Sequence, residues 1–598
     1  MTASMIDYTK QGIEMPGTRS HGQTGLKVSP DKDCLGVRQY DPATGAFGDY
    51  VWQSYTTVSQ RRFNFGSGLV EIHHQLFPEL DEGARKQWTV AIWGPNRPEW
   101  TIAGLACDAY NLISVGLFDA LEIEAIVYSI GHSEAPIMVA CVDHLVPLIK
   151  NADRMPKLKV IISMDRLGNS NKTPGDHAKG NLDACDILYA WAEEKGIRLL
   201  DFDQVEQLGA HSRREHTPPK PEDLFVISYT SGTTGLPKGA MITHANYATF
   251  LATCERCYPI FKEDITISYL PLGHIFGRVM ETIAFSAGAR FGYVPRLLNR
   301  IYARVKAETI DVSDETGVQA RMAFEAKMAN YMAGKGVHHP EWDRVVFHKV
   351  RQILGGNYFD TCLPASAPVS SEILAFCRVA FSCDIVEVYA QTESTGVATV
   401  TNVGCEIKLI DAPELNYLTT DKPYPRGEIC IRGPPVIKGY YKNEEKTRET
   451  FDDQGFLHSG DIAVLYPNGT FKIIDRAKNI FKGEYVAAEN IENKLLARVP
   501  FIQQLFVHGD SHQSCLVAIM VPEPEAFLSM AQKILTLNLS TEDPDVFRDA
   551  IMIEPTPFTV ENGRLTPTFK IKRHPVVQEY REQLTAMYDE IHQRMSRL

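Results

Sequence analysis

The sequence predicts an α/β fold with a β-rich region and a separate C-terminal piece, and three observations support this. Short Val- and Ile-rich runs alternate with longer amphipathic stretches in the first part of the chain, which is typical of parallel strands joined by crossover helices. After residue 405 the runs become short and alternating, with Pro-Asn-Gly and Gly-Pro turns, which indicates a more antiparallel region. Asp475-Arg476 opens the last piece, so we predict domains at 1–475 and 476–598.

The apolar runs, the polar loops and the C-terminal helix pattern each support this division. The apolar runs of the first part are "TVAIWG", "TIAGLACDAYNLISVGLF", "APIMVACV" and "LKVIISM". Polar stretches at 165–181 and 211–223 predict surface loops. Near the C-terminus, Pro575 lies in the first turn of a predicted helix, whose apolar residues recur at i+3 and i+4 spacing: Val577, Tyr580, Leu584, Met587 and Ile591. Its polar face carries charges of both signs, which favours a packed helix over a membrane-surface helix.

Charge and composition exclude some classes of function. The 598 residues carry a formal net charge of −13, which argues against nucleic-acid binding because that needs a basic surface. No apolar run reaches the ~18–20 residues that cross a bilayer, so we expect at most peripheral membrane contact. The 12 cysteines include one Cys-x-x-Cys pair, Cys254 and Cys257. No second ligand pair lies nearby in the sequence, so we interpret them as ordinary thiols.

A glycine- and hydroxyl-rich stretch, "ISYTSGTTGLPKGAM" at 227–241, follows an apolar strand. Its glycines allow the backbone N–H groups to approach an anion, and its hydroxyls and lysine add donors and charge: Thr230, Ser231, Gly232, Thr233, Thr234, Gly235, Lys238 and Gly239. The pattern is not GxxxxGK[ST], because a glycine follows the lysine. A flexible linker is the alternative, but Pro-Lys-Gly between a strand and a helix favours a phosphate-binding loop.

Several stretches together identify a family resemblance. They are "YTSGTTGLPKG", "LPLGHIFGR", "VPRLLNRIY", "YAQTES", "HSGD", "IFKGEYVAAENIEN" and "ENGRLTPTFKIKR". In these the chain resembles the adenylate-forming superfamily, and within it a long-chain fatty acid–CoA ligase of the fungal or peroxisomal kind. The resemblance runs from about residue 30 to the end. It implies a large adenylation domain of mixed, mainly parallel sheets with helices and a β-rich subdomain, followed by a small α+β lid domain.

The resemblance also implies roles for particular residues around ATP. The loop from Thr230 to Lys238 would hold the β- and γ-phosphates. Tyr389 would stack on adenine, Thr392 would contact the α-phosphate, and Glu393 would hold Mg²⁺. Each assignment suits the chemistry, because an acidic oxygen is a ligand that Mg²⁺ prefers.

Further roles follow from the resemblance in the later part of the chain. Asp461 would accept the ribose hydroxyls, helped by Arg476, and Asp475 would be the hinge of the lid. Lys570 would reach the α-phosphate from the lid. His274 matches a histidine near the acyl group and the α-phosphate, but a core or helix-capping histidine is an alternative.

The implied reaction has two halves. The carboxylate of a medium- or long-chain fatty acid attacks the α-phosphorus of ATP, giving an acyl-adenylate and pyrophosphate, and the CoA thiol then takes the acyl group as AMP leaves. The lid would turn about Asp475 between the two steps, and Gly483-Glu484-Tyr485 would line the path of the thiol. Two alternatives remain open: a non-catalytic adenylate- or acyl-binding relic, and a ligase for an aryl or polyketide-derived acid.

The last three residues, Ser596-Arg597-Leu598, are close to the Ser-Lys-Leu address. We therefore expect recognition by the peroxisomal import receptor and a peroxisomal location, or a cytoplasmic location if the tail is not read.

Local departures from the family pattern motivate the relic alternative. Tyr293 runs straight into Val294 where relatives have another helix and strand, and a missing central strand would leave unpaired backbone groups. A loop before "GCEIKLID", residues before Gly483 and a helical piece of the lid are also absent. "LPASAP" at 363–368 replaces a Gly-Ala-Ala-Pro-like segment, and Gly277 stands where relatives usually have Glu.

Overall fold

The chain divides into two compact units, each assembled from separate stretches of sequence. The first comprises Met1–Arg296, Gln391–Glu406 and Arg432–Leu457, and the second comprises Leu297–Ala390, Ile407–Ile431 and His458–Leu598. The domain boundary expected at residues 475 and 476 stays a prediction. In this computed structural model the described residues are 25–41, 46–79, 87–119, 121–168, 184–230, 237–257, 260–268, 270–293, 315–348, 361–362, 371–385, 389–399, 405–415, 417–476, 480–481, 486–487, 491–492, 495–496, 499, 501–509, 516–537, 550–566 and 571–595.

Strands and helices alternate along most of the first unit, and the described strands of both units follow here in chain order. The strands are β1 (Asp33–Asp41), β2 (Ala46–Ser54), β3 (Thr89–Trp93), β4 (Ile113–Leu117), β5 (Ile137–Ala140), β6 (Val160–Ser163), β7 (Arg198–Asp201), β8 (Leu224–Thr230), β9 (Lys238–Thr243), β10 (Ile265–Ser268), β11 (Arg290–Tyr293), β12 (Thr361–Cys362), β13 (Asp384–Ile385), β14 (Tyr389–Gln391), β15 (Gly396–Thr399), β16 (Glu406–Ile410), β17 (Arg426–Arg432), β18 (Leu457–Leu465), β19 (Phe471–Arg476), β20 (Ile480–Phe481), β21 (Val486–Ala487), β22 (Ile502–Gly509), β23 (Leu516–Pro522) and β24 (Ile551–Ile553).

The α-helices are α1 (Gly25–Val28), α2 (Tyr55–Leu76), α3 (Pro98–Ala109), α4 (Ile123–Ser133), α5 (Leu145–Lys150), α6 (Ala184–Glu194), α7 (Phe202–Ser212), α8 (His244–Cys257), α9 (Ile275–Ala287), α10 (Glu315–Met332), α11 (Pro340–Trp342), α12 (Ser371–Phe381), α13 (Glu444–Thr450), α14 (Pro524–Leu537), α15 (Arg573–Glu579) and α16 (Arg581–Met595). No helix within the described ranges has the length and apolar content of a membrane span.

A seven-stranded sheet with the order β7-β6-β5-β3-β4-β8-β9 forms the centre of the first unit. Its strands are parallel except for β9, which runs antiparallel to β8. Val90 and Ile92 of β3 belong to one buried core, whereas Ala91 and Trp93 belong to another. Successive strand residues point to opposite faces, so both faces of the sheet are covered. This explains why "TVAIW" is an unbroken apolar run rather than an alternating one.

A four-stranded sheet in the first unit has the order β10-β11-β1-β2. Strand β11 ends at Tyr293, the position after which the sequence predicts a missing helix and strand. Phe291 of β11 lies opposite Leu35 of β1 on one side and opposite Thr266 of β10 on the other. Both edges of β11 are therefore paired, and the described part of this sheet has no gap beside it. Residues 294–314 lie outside the described ranges.

The second unit contains the β-rich region and the C-terminal piece. Strands β16 to β19 form a four-stranded sheet in sequence order, and β18 pairs antiparallel with β19. Strand β23 pairs antiparallel with β22 and parallel with β24. The structure therefore confirms the predicted mixture of parallel and antiparallel sheets with helices.

The predicted C-terminal helix is present in two segments. Helix α15 begins at Arg573, with Pro575 in its first turn, and α16 begins at Arg581. Tyr580, Leu584 and Met587 of the predicted apolar face are all buried. Val577 and Ile591 of the same predicted face are only half-buried, so the face is buried in part, and the helical run is broken at Tyr580.

Candidate active site

The glycine- and hydroxyl-rich loop connects the two strands of a hairpin. Thr230 at the end of β8 lies opposite Lys238 at the start of β9. The Thr230 hydroxyl donates to the Lys238 carbonyl over 3.5 Å. The loop between them, with Ser231, Gly232, Thr233, Thr234 and Gly235, lies outside the described residues. The hairpin therefore determines where both ends of the loop are and places the half-buried Lys238 at one of them.

A second segment of chain pairs with the other edge of β9. Tyr440 forms an antiparallel bridge with Ala240, and the Tyr441 N–H donates to the Gly239 carbonyl over 2.8 Å. Gly439 has φ +145°, and a Cβ there would lie 2.5 Å from the Thr447 side chain. A larger residue at 439 would therefore be both strained and obstructed. This glycine allows the following tyrosine to lie directly beside the start of β9.

Tyr440 contacts two predicted site residues, Lys238 of the phosphate loop and Glu393, the expected Mg²⁺ ligand. The Lys238 Nζ lies 5.8 Å from the centroid of the Tyr440 ring. The Tyr440 hydroxyl donates to Glu393 Oε1 over 2.8 Å. Burial and the neighbouring Glu393 charge both raise the pKa of the Tyr440 phenol. The phenol therefore stays protonated and acts as a hydrogen-bond donor to the carboxylate.

Local backbone contacts hold Glu393 in place. Thr392, Glu393 and Ser394 form a 3₁₀ turn that ends at Thr395, where φ is +59°. The Thr395 N–H donates to the Thr392 carbonyl over 2.9 Å, and the Ile437 N–H donates to the Glu393 carbonyl over 3.0 Å. The turn is therefore tied to the segment that leads into Tyr440. Thr392 is half-buried in the same turn.

The second unit contains another pair of predicted site residues. The Tyr389 hydroxyl donates to Asp461 Oδ2 over 2.7 Å, although 72 positions separate them. The Asp461 side chain is buried. Gly460, with φ +72°, precedes it in β18, and the Ser459 hydroxyl donates to the Ile429 carbonyl over 2.6 Å. These contacts hold the "HSGD" turn on the neighbouring strand β17.

Arg476 lies opposite Asp461 in the pairing of β19 with β18. Its backbone position is compatible with the expected role beside Asp461, whereas its side chain lies outside the description. Lys570, the predicted lid lysine, also lies outside the described residues, as do Gly483 to Tyr485 and the 363–368 segment.

His274 occupies the N-cap position of α9. Its Nδ1 accepts the Phe276 N–H over 3.2 Å, which is the capping role that the sequence left open as an alternative. Gly277, in the first turn of the same helix, has the Pro271 carbonyl oxygen 2.7 Å from where a Cβ would be. A side chain at this position would therefore require the backbone around Pro271 to shift, which explains why glycine suits it.

Tyr440 is the site residue that sequence reasoning missed. The sequence feature that could have indicated it is the Gly-Tyr-Tyr run at 439–441. This run precedes helix α13, which Asn443 caps. Such a run has many structural explanations, and only its pairing with β9 makes it part of the site.

The fold is the one shared by adenylate-forming enzymes, and the chain belongs to the AMP-binding enzyme family, whose model matches residues 27–441. "Acyl-CoA ligase 891, peroxisomal" of Penicillium roqueforti is 34% identical, with 94% of this chain and 88% of that protein covered. "Long-chain-fatty-acid--CoA ligase 5" of Mus musculus is 36% identical, with 95% and 88% covered.

A solved structure supports the same fold. The A-PCP didomain of carboxylic acid reductase from Segniliparus rugosus, in complex with AMP, matches with a TM-score of 0.73. The match covers 95% of this chain and 81% of that chain at 24% identity.

Proposed function

We propose that this protein is an ATP-dependent long-chain fatty acid–CoA ligase. The observation that carries the proposal is the alignment, over 94% and 95% of the chain, with relatives named as acyl-CoA and long-chain-fatty-acid–CoA ligases. The contacts of Lys238, Tyr440 and Glu393 support it, because they place a cation and a carboxylate beside the hairpin that carries the loop.

In the first half-reaction, the fatty carboxylate attacks the α-phosphorus of ATP and pyrophosphate leaves. The loop donors from Thr230 to Gly235 and the Lys238 ammonium bind the β- and γ-phosphates, where negative charge accumulates. Thr392 lies in the turn that carries Glu393 and would contact the α-phosphate. The protein's part in this step is positioning and electrostatic stabilisation.

Glu393 fits the expected role of a Mg²⁺ ligand. Its side chain is a carboxylate, the hard oxygen donor that Mg²⁺ prefers, and Tyr440 orients it through Oε1. When bound, Mg²⁺ would supply positive charge next to the phosphates.

Asp461 and Tyr389 are proposed to bind the nucleoside. A carboxylate suits the two vicinal ribose hydroxyls, and Arg476 on the paired strand would assist it. The Tyr389 hydroxyl is bonded to Asp461, which restricts rotation of the ring whose face would stack on adenine.

Lys570 is proposed to stabilise the α-phosphate during adenylate formation. Lys570→Ala should abolish ATP–pyrophosphate exchange while affecting hydrolysis of supplied acyl-adenylate less. Lys572→Ala, two residues away in the same basic run, is the matched control. Equal exchange rates for Lys570→Ala and the wild type would refute the role of Lys570.

Acid-dependent ATP–pyrophosphate exchange, followed by a thioester assay with CoA, tests the whole proposal. A panel from short to long fatty acids, with aryl acids beside them, should show the highest rate with long-chain acids. Absence of exchange with every acid would favour the non-catalytic relic. Exchange with aryl acids alone would favour a ligase of another pathway.

We also propose a peroxisomal location. The support is the Ser596-Arg597-Leu598 tail, which lies outside the described residues, and the word "peroxisomal" in the names of some relatives. A fluorescent fusion should form peroxisomal puncta, and removal of the three residues should leave it in the cytosol. Unchanged puncta after removal would exclude this tail as the address read by the import receptor.

A further inference from the structure

Three side chains with different ligand chemistry meet on β17 and β18 of the second unit. The Cys430 Sγ lies 3.8 Å from His458 Nδ1. The same nitrogen lies 3.1 Å from Glu428 Oε2. All three ligand atoms lie within 4.8 Å of one another. A thiol, an imidazole nitrogen and a carboxylate oxygen therefore converge on one small volume.

These separations are close to the edges of a tetrahedral zinc site. Zn–S bonds of about 2.3 Å and Zn–N or Zn–O bonds of about 2.0–2.2 Å place ligand atoms roughly 3.3–3.6 Å apart. The Cys430–His458 and His458–Glu428 separations, 3.8 and 3.1 Å, lie just outside that range. Small movements of the side chains would bring the ligand atoms to it. Cations such as Mg²⁺ and Ca²⁺ prefer oxygen ligands and would not bind the thiol, because soft sulfur ligands select metals such as zinc.

The backbone prepares this arrangement. Glu428 and Cys430 are two positions apart on one strand, so their side chains share a face. Cys430 is fully buried. The second carboxylate oxygen of Glu428, Oε1, accepts the Gly460 N–H over 2.8 Å, which orients Oε2 toward His458. A hydrogen bond of this kind to a ligand is typical of built metal sites.

We propose that Glu428, Cys430 and His458 form a Zn²⁺ site with three protein ligands and a fourth position for water. The site lies at the base of the "HSGD" turn, because Glu428 also holds Gly460, the residue before Asp461. Zinc binding is therefore coupled to the turn that presents Asp461. This second part rests on the proposed function, whereas zinc binding itself does not.

The binding test uses Co²⁺ as a spectroscopic probe on the purified full-length protein. Tetrahedral Co²⁺ with a thiolate ligand gives a charge-transfer band and visible ligand-field bands, which Zn²⁺ should displace. Cys430→Ser should abolish the charge-transfer band. Cys141→Ser is the matched control, because Cys141 lies in a second Cys/His/Asp group with Asp119 and His144, and it should leave the band unchanged.

A second variant is needed because substitution of the buried Cys430 could itself impair folding. Glu428→Gln keeps the side-chain shape and an oxygen for the Gly460 N–H, and it should weaken Zn²⁺ binding by at least about tenfold. Circular dichroism checks that each variant folds. Persistence of the band in Cys430→Ser, its loss in Cys141→Ser, or unchanged affinity in Glu428→Gln would each overturn the proposal.

The coupling is tested separately by ATP–pyrophosphate exchange with buffered free Zn²⁺. Zinc should change the KM for ATP in the wild type and not in Cys430→Ser. An unchanged KM with intact zinc binding would remove only the coupling. Absence of any exchange would count against the proposed function and leave the Co²⁺ result to decide the metal site.

Discussion

The Tyr440 hydroxyl donates a hydrogen bond to Glu393 Oε1 over 2.8 Å, and the backbone of the same tyrosine bridges to β9. Since β9 begins at Lys238, one buried aromatic residue links the predicted metal-binding carboxylate to the hairpin of the phosphate loop. The two groups are 155 positions apart in sequence. We therefore expect Tyr440 to position Glu393, and this effect can be measured.

Replacing Tyr440 tests this link. Tyr440→Phe keeps the ring beside Lys238 but removes the donor to Glu393. A hydrogen bond to a charged group is worth about 1.5–3 kcal/mol, so we expect adenylate formation to slow by roughly 10- to 100-fold. The Mg²⁺ concentration needed for half-maximal ATP–pyrophosphate exchange should rise. Tyr441→Phe, one residue on, is the control and should behave as the wild type, whereas equal behaviour of both variants would exclude the positioning role.

Asp461 and Tyr389 should act as a coupled pair on the nucleoside. Asp461→Asn weakens the proposed acceptor for the ribose hydroxyls, so kcat/KM for ATP should fall by about tenfold or more. Tyr389→Phe alone should lower kcat/KM by a smaller factor. The double variant should lose less transition-state binding free energy than the sum of the two single losses, because the two side chains are hydrogen-bonded to each other. The exposed Asp453→Asn is the control for loss of a carboxylate. Full additivity would argue against coupling.

Two helical glycines should respond in opposite directions to the same change. In Gly277→Ala the new Cβ meets the Pro271 carbonyl oxygen at 2.7 Å, so the free energy of unfolding should fall by about 1–3 kcal/mol. In α4, a Cβ at Gly131 has nothing within 4 Å. Gly131→Ala should therefore raise stability by about 0.5–1 kcal/mol through helix propensity. Urea denaturation measures both, and stabilisation by Gly277→Ala would contradict the close contact.

Glu281 predicts a pH dependence of stability. Burial raises the pKa of this carboxyl from 4.5 to about 7, while hydrogen bonds from Thr101 and Tyr293 oppose the rise. The folded state therefore prefers the protonated form, and this contribution is fully present below pH 4.5 and is lost as the pH rises through 7. The loss is on the order of 3 kcal/mol.

Glu281→Gln should remove that dependence. Its urea midpoint should fall less between pH 4.5 and 7 than the wild-type midpoint, because glutamine does not ionise. Glu222→Gln, at an exposed position, should keep the wild-type slope. Parallel slopes for wild type and Glu281→Gln would show that Glu281 does not titrate in this range.

Local patterns in the sequence predicted much of the fold. The Val- and Ile-rich runs became parallel strands because both faces of a covered sheet demand apolar side chains, as Val90 and Ala91 on opposite faces illustrate. The C-terminal face of Tyr580, Leu584 and Met587 was equally readable from spacing. The pairing of β11 with β10 and β1 could not be predicted, because no local sequence pattern specifies the register between strands that are distant in sequence.

By itself, the sequence determined the class of enzyme, which the family match confirms, and it predicted roles for Lys238, Glu393 and Asp461, since a residue type and its local motif carry that information. Only the tertiary structure decided that Tyr440 bonds Glu393, that Tyr389 bonds Asp461 and that His274 caps a helix. The first two contacts join residues 47 and 72 positions apart, and contacts over such separations depend on how the sheets bring the chain together.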